Sequence, residues 1–263
     1  MRLPIYQVDA FTDRPFGGNP AAVVPLREWL PDPVMQAIAA ENNLSETAFF
    51  VPEGDGYALR WFTPAIEADL CGHATLGTAY VITRFLAPER RTLSFHTLRA
   101  GRLVVTREGE ELVMDFPTWP SQPAEAPIGL AEALGASPER YLKGIRDGIA
   151  VFRSEAEVAT LQPDFGSLKR LFTSPVIATA PGDGGIDFVS RFFAPHSGID
   201  EDPVTGSAHC ALIPYWSERL GKARLKARQI SKRVGHIRCE MRGDRVTIAG
   251  RAVKYLEGTI VVS

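Results

Sequence analysis

Two short stretches place small and polar residues where helices should open: Asp69-Leu70-Cys71-Gly72-His73-Ala74, and Asp202-Pro203-Val204-Thr205-Gly206-Ser207-Ala208. In each, a glycine begins an alanine-bearing apolar run. A helix that opens this way offers bare backbone N–H groups and the positive end of its macrodipole. Glycine also lets a ligand oxygen approach the backbone closely. The combination suits a small carboxylate. His73 stands at the first opening. Asp202, Thr205 and Ser207 stand at the second. An imidazole, a carboxylate and hydroxyls around a bound anion are equipment for proton transfer. Two such openings aimed at one cleft are expected to hold a small carboxylate substrate through Gly72, His73, Gly206 and Ser207.

Cys71 occupies the slot just before Gly72, and Thr205 the slot just before Gly206. A thiol can be tuned to give and take protons near neutral pH, whereas an alcohol cannot. Paired openings of this kind resemble those of the cofactor-independent diaminopimelate epimerases and proline racemases, whose two slots each hold a thiol; here the second member of that pair is missing, and Cys71 is expected to pack as a small apolar group. Ser207 has no Gly-x-Ser-x-Gly setting, so it reads as a hydroxyl donor and not as a nucleophile. Asn19, in Phe-Gly-Gly-Asn-Pro, is a turn residue that could also line the cleft. Glu41, Glu67 and Asp69 are the nearby carboxylates with other work to do, Asp69 at the start of the Gly72 helix. His209 is expected in the core.

These residues need a scaffold, and the sequence offers the same one twice. Arg60-Trp61-Phe62-Thr63-Pro64 is answered by Arg191-Phe192-Phe193-Ala194-Pro195, Gly72-His73-Ala74 by Gly206-Ser207-Ala208, and the strand of Thr47–Val51 by that of Pro175–Thr179. Three matches in one order point to an internal duplication. The expected fold is α+β: two pseudo-symmetric lobes, each a curved, barrel-like mixed or antiparallel sheet around a central helix. Residues 1–118 form the first lobe and 119–263 the second, joined through the proline-rich stretch 117–127, with the final strand able to pack back on the first lobe. Periodicity predicts helices over 32–43, 72–86, 138–145, 165–172 and 206–220. It predicts strands at Leu3–Phe11, Ala21–Leu26, Ser45–Val51, Ala58–Pro64, Gly148–Ser154, Ser174–Ala180 and Asp187–Pro195, and a turn at Gly243-Asp244.

Bulk properties exclude several classes. The net charge is -2, and the densest basic stretch, 222–233, reads as a solvated face, so no nucleic-acid partner is expected. No apolar run approaches the roughly 20 residues that span a bilayer, so no membrane partner is expected. The N-terminus lacks the apolar core of a signal peptide, and three widely spaced cysteines suggest neither a disulfide framework nor a zinc site. The expected compartment is the cytoplasm. No Walker or dinucleotide fingerprint occurs, so no metal and no cofactor are expected.

Over nearly its whole length the sequence resembles the PhzF family, the phenazine biosynthesis-like isomerases of diaminopimelate epimerase-like fold. The resemblance rests on QVDAFTDRPFGGNPAAVV, NLSETAFF, RWFTPAIEADLCGHATLGTAY and FFAPHSGIDEDPVTGSAH. It departs at Gln229-Ile230, where members often carry Gln-Gly. Read alone, Glu46 is a hydrogen-bonded residue at a strand end. The resemblance implies that it is the general acid/base, with His73, Asp202 and Ser207 beside it. It implies a cofactor-independent isomerase, usually a homodimer, that moves a proton on a small anionic, cyclic or amino-bearing carbon acid; the phenazine enzyme isomerises a hydroxylated dihydro-anthranilate. An amino-acid racemase or epimerase, and a non-catalytic anion binder, stay open as alternatives.

Overall fold

The structure is a computed structural model and describes residues 1–262. The chain divides into two compact units, Met1–Asp115 with Ala249–Ser263, and Phe116–Ile248. The first unit starts with β1 (Arg2–Ala10), β2 (Asn19–Pro25), α1 (Asp32–Asn42), β3 (Glu46–Glu53), β4 (Gly56–Phe62) and β5 (Glu67–Ala68). It continues with α2 (Gly72–Val81), a π-helical turn (Ile82–Leu86), β6 (Thr92–His96), β7 (Arg102–Glu108) and β8 (Glu111–Pro117). The second unit holds β9 (Gln122–Pro123), α3 (Leu130–Leu134), β10 (Arg140–Lys143), β11 (Gly148–Val151), α4 (Glu155–Ala159), α5 (Phe165–Leu171) and β12 (Val176–Pro181). Next come β13 (Phe188–Ala194), β14 (Ile199–Asp202), α6 (His209–Leu220), β15 (Arg224–Gln229), β16 (Gly235–Arg242) and β17 (Arg245–Gly250). The last strand, β18 (Ala252–Val261), belongs to the first unit and runs antiparallel to β1.

Strand pairing is the same in both units. In the first, β2 pairs antiparallel with β1 and parallel with β3; β4 is antiparallel to β3 and β5 and parallel to β6, which turns antiparallel into β7. In the second, β11 pairs antiparallel with β10 and parallel with β12; β13 is antiparallel to β12 and β14 and parallel to β15, which turns antiparallel into β16. Each parallel step needs a crossover. Helices supply the crossovers at matching places: α1, or α4 with α5, for the first step and α2 or α6 for the second.

Side chains repeat as well. The Arg60 guanidinium makes a bidentate pair with Glu67 at 2.7 and 2.8 Å and lies 5.1 Å from the Phe62 ring. Arg191 does the same with Glu201 at 2.8 and 2.9 Å and lies 5.0 Å from Phe193. Each arginine then reaches the crossover helices of its unit. Arg60 donates to Asp32 Oδ1 at the start of α1, and Arg191 to the carbonyls of Val158 and Leu161 at the end of α4.

α2 is the buried axis of the first unit; all of its residues except Tyr80 are buried. Small side chains let the strands close on it, with Gly77 against Val8 and Val23. The threonines there would cost stability if their hydroxyls went unpaired. Thr75, Thr78 and the following Thr83 each donate to the carbonyl four residues back, at 2.6, 2.8 and 2.7 Å. α6 buries six residues, including Leu212, Ile213 and Trp216, and tolerates Pro214 within it.

Three expectations are corrected. Residues 138–145 do not form a helix: Arg140–Lys143 is strand β10, with Leu142 turned inward against Ile149 of β11. Tertiary pairing overrides a weak local helix preference here. The proline-rich stretch is not a bare linker. Gln122-Pro123 pairs with β10, and the Trp119 N–H donates to the Cys210 carbonyl. The second central helix begins at His209, three residues after Gly206. Among the described residues, no helix is long and apolar enough to cross a membrane.

Candidate active site

In the first unit, three loop or element starts converge. Asn19 opens β2 and is fully buried. The preceding Gly18 has φ +59°, and a Cβ there would strike the Ala10 carbonyl, so only glycine lets the chain turn in to β2 at this point. Glu46 opens β3, in register with Ala21 of β2. Cys71 is extended and precedes α2, which Gly72 and His73 begin.

The His73 ring, 4% exposed, is the hub. Its Nε2 lies 3.1 Å from Glu46 Oε2, an ion-pair distance at which the ring N–H is not aimed squarely at the oxygen. On the other edge, the Asn19 side-chain amide lies 3.1 Å from Nδ1, and Cys71 Sγ lies 3.5 Å from the same nitrogen. A protonated ring presents an N–H on both edges, Nε2 beside Glu46 and Nδ1 beside the Asn19 amide. Of the pair, the Glu46 side chain is the more open at 13% exposed.

Burial opposes a positive charge on His73, but the Cys71 sulfur and the Glu46 carboxylate oppose burial and hold its pKa well above the ordinary imidazole value. Burial first, and the Glu46 charge second, push the Cys71 thiol up to about 11. A thiol with that pKa is uncharged at neutral pH, so Glu46 is the partner that charges the imidazole. Cys71 is 5% exposed and lacks the thiolate character that acid/base work needs.

The competing carboxylates are engaged elsewhere. Glu67 holds Arg60, and Asp69 pairs with Arg99 at the surface and does not cap α2. The ligand atoms of Glu46, Cys71 and His73 lie within 4.8 Å of one another, close enough to share one ion, although no ion is needed to account for a carboxylate beside an imidazole.

In the second unit, Asp202 ends β14 and is buried, as are Thr205 and Gly206; Ser207 is half-buried. Gly206, Ser207 and Ala208 form a turn that feeds α6 through hydrogen bonds from His209 N to Gly206 O at 3.1 Å and Cys210 N to Ser207 O at 3.0 Å. The Thr205 hydroxyl donates to Asp202 Oδ2. His209 is fully buried, its Nδ1 sits 2.9 Å from the Thr205 carbonyl, and burial lowers its pKa to about 4. The structure thus gathers Asn19, Glu46, Gly72 and His73 in one unit, and Asp202, Gly206 and Ser207 in the other.

Sequence reasoning missed Gln229, the last residue of β15. Its Oε1 accepts from Thr205 N at 2.8 Å, and its Nε2 donates to the Asp202 carbonyl at 2.8 Å and to Thr205 Oγ1 at 3.3 Å. A signal was present. Leu225, Ala227 and Gln229 alternate inward along the strand, and a glutamine on a buried face must find polar partners.

A family model described as phenazine biosynthesis-like protein matches residues 8–258. An uncharacterized isomerase of Pseudomonas aeruginosa is 53% identical over 260 residues, covering 99% of each chain. The crystal structure of a PhzF-family phenazine biosynthesis protein from Enterococcus faecalis superposes with a TM-score of 0.96 at 48% identity, covering all of both chains. A probable proline racemase from Agrobacterium radiobacter, 15% identical with a TM-score of 0.62 over 99% of this chain and 93% of its own, shares the fold. The chain therefore belongs to the PhzC-PhzF family of phenazine biosynthesis-like proteins, an isomerase family with the α+β architecture also found in that racemase.

Proposed function

We propose that this isomerase needs no cofactor and moves a proton between carbons of a small carboxylate, with Glu46 taking the proton from one carbon and returning it to another. The observation that carries this reading is the 3.1 Å approach of Glu46 to His73 beside the uncapped start of α2. A base must be accessible and must survive in both protonation states. Glu46 is the more open member, and an imidazole alongside can stabilise its anion or share its proton. The Asn19 amide, 3.1 Å from Nδ1, fixes the ring's orientation. The first backbone N–H groups of α2, at Gly72 and His73, suit a substrate carboxylate. Asp202, as a further acid/base or orienting group, and Gly206 and Ser207, as donors to substrate oxygens, complete the proposed set.

A racemase that works with two thiols is disfavoured. Cys71 is a thiol of pKa about 11, and the corresponding second position is Thr205.

The test is incubation with a pool of small acidic metabolites in deuterium oxide, read by mass spectrometry and NMR. We expect one compound to change isomeric form, with solvent deuterium entering at a carbon wherever the abstracted proton exchanges. Loss of optical rotation without a double-bond shift would indicate a racemase. Binding with neither isomerisation nor exchange would make the protein a binder and defeat the reading.

A further inference from the structure

We propose that Gln229 is a positioning residue that holds the Asp202–Ser207 segment in its working geometry, acting on substrate through Asp202. The inference rests on the isomerase reading above and adds a residue to its machinery.

The Gln229 side chain is fully buried at the end of β15, and both ends of its amide are bonded to the one loop. It spans Asp202 and Thr205, bridging the two residues between them. Pro203 has no N–H to give, and its carbonyl is held from the same strand end by the Ser231 hydroxyl at 2.8 Å. Val204 is buried against Gly235, where any Cβ would collide with its side chain. The loop backbone is thus held at Asp202, Pro203 and Thr205, and Val204 by its side chain, by groups at 229–235. These bonds have a direction. Gln229 takes the Thr205 N–H and Asp202 carbonyl, which leaves the Thr205 hydroxyl to donate to the Asp202 carboxylate. The Thr205 carbonyl faces His209 Nδ1. Asp202 is thereby pinned by backbone and by side chain, and the Gly206–Ser207 turn follows from a fixed Thr205. An apolar residue at 229 would leave a buried N–H and a buried carbonyl without their partner, which costs far more than the loss of a surface bond. The loop would shift to find water.

The experiment uses the full-length protein and two variants. Gln229→Leu removes the amide. Gln229→Glu keeps the size and the acceptor for Thr205 N but loses the donor to the Asp202 carbonyl. Amide hydrogen exchange, read by mass spectrometry on peptides covering 202–208, should rise by at least about 10-fold in Gln229→Leu, while peptides over 72–81 stay at the wild-type rate. Turnover in deuterium oxide, measured on the compound that the wild-type protein isomerises, should fall by about 30-fold or more in Gln229→Leu and by less in Gln229→Glu. In an Asp202→Asn background, Gln229→Leu should cost less than about 3-fold more, because the two act through one group. Unchanged exchange at 202–208, or an equal fold-loss in both backgrounds, would overturn the proposal. A wild-type protein inert towards every compound would overturn the isomerase reading and, with it, Gln229's role in turnover; the exchange measurement would still report whether the clamp exists.

Discussion

At the same step of the sheet, the two units place a carboxylate on different strands. In the first, Ala21 of β2 faces Glu46 of β3, just before Thr47 meets Phe62. In the second, Val176 meets Phe193 as Thr47 meets Phe62, so Pro175 stands where Glu46 does, and Asp147 where Ala21 does. The residue after the matching glycine changes with it, from His73 at the start of α2 to Ser207 in the turn before α6. One unit therefore pairs a carboxylate with an imidazole at 3.1 Å, while the other keeps a buried Asp147 whose pKa burial raises to about 6, with Arg146 pulling it down. The two units share one scaffold and differ in the side chains set on it, with the carboxylate–imidazole pair on one of them.

The largest effect should come from deleting that difference. Glu46→Gln preserves shape and should lower turnover by about 10²–10⁴, the usual value of a general acid/base. Retention of more than about a tenth of the rate would return Glu46 to the status of a strand-end residue. The shared scaffold should be equally sensitive in both units. Glu67→Gln and Glu201→Gln each leave a largely buried arginine without its bidentate partner, and each should cost about 2 kcal/mol in urea unfolding, discounted for partial exposure. A large loss in only one would show that the two pairs are not equivalent in energy.

Asp147 sharpens the comparison through pH. Its folded pKa, about 6, lies above the unfolded carboxyl value, so the folded state gives up the proton less readily. Stability is therefore lost as pH rises from about 4 through 6, and Asp147→Asn should gain about 2 kcal/mol at pH 7.5 and almost nothing at pH 4, measured by thermal unfolding. A gain that does not depend on pH would have another origin. The smallest effect belongs to Cys71→Ala, which should keep at least about a third of the rate while iodoacetamide inactivates slowly. Rapid, substrate-protected alkylation at Cys71 would revive thiol chemistry in the first unit.

Much of this was legible beforehand. Motif order carried the duplication, because Arg-x-aromatic-x-Pro and the glycine-led helices repeat at matching places. The Glu46–His73 partnership was legible only through the family resemblance, since 26 intervening positions separate them and one stands on β3, the other on α2. Periodicity failed at 138–145, where four residues pair into a sheet that local propensity does not see. It also placed the second helix three residues early, because Gly206–Ala208 makes a tighter turn before α6. Gln229 escaped because its partners lie on a loop more than 20 residues away, and no local pattern names them.

The pairing of β18 with β1 has a consequence for how the protein is made. Arg2 meets Val261 and Ala10 meets Ala252, so the opening strand waits for β18, about 240 residues on, to emerge from the ribosome. The second unit, 116–248, is complete before then. Vectorial synthesis thus delivers the nested half first and leaves β1 with one backbone edge unpaired, and the strand order of the Glu46 half unfinished, until β18 has been made. The unit that holds Glu46 and His73 closes after the nested one, and a chain that stops before residue 252 lacks the strand that pairs with β1.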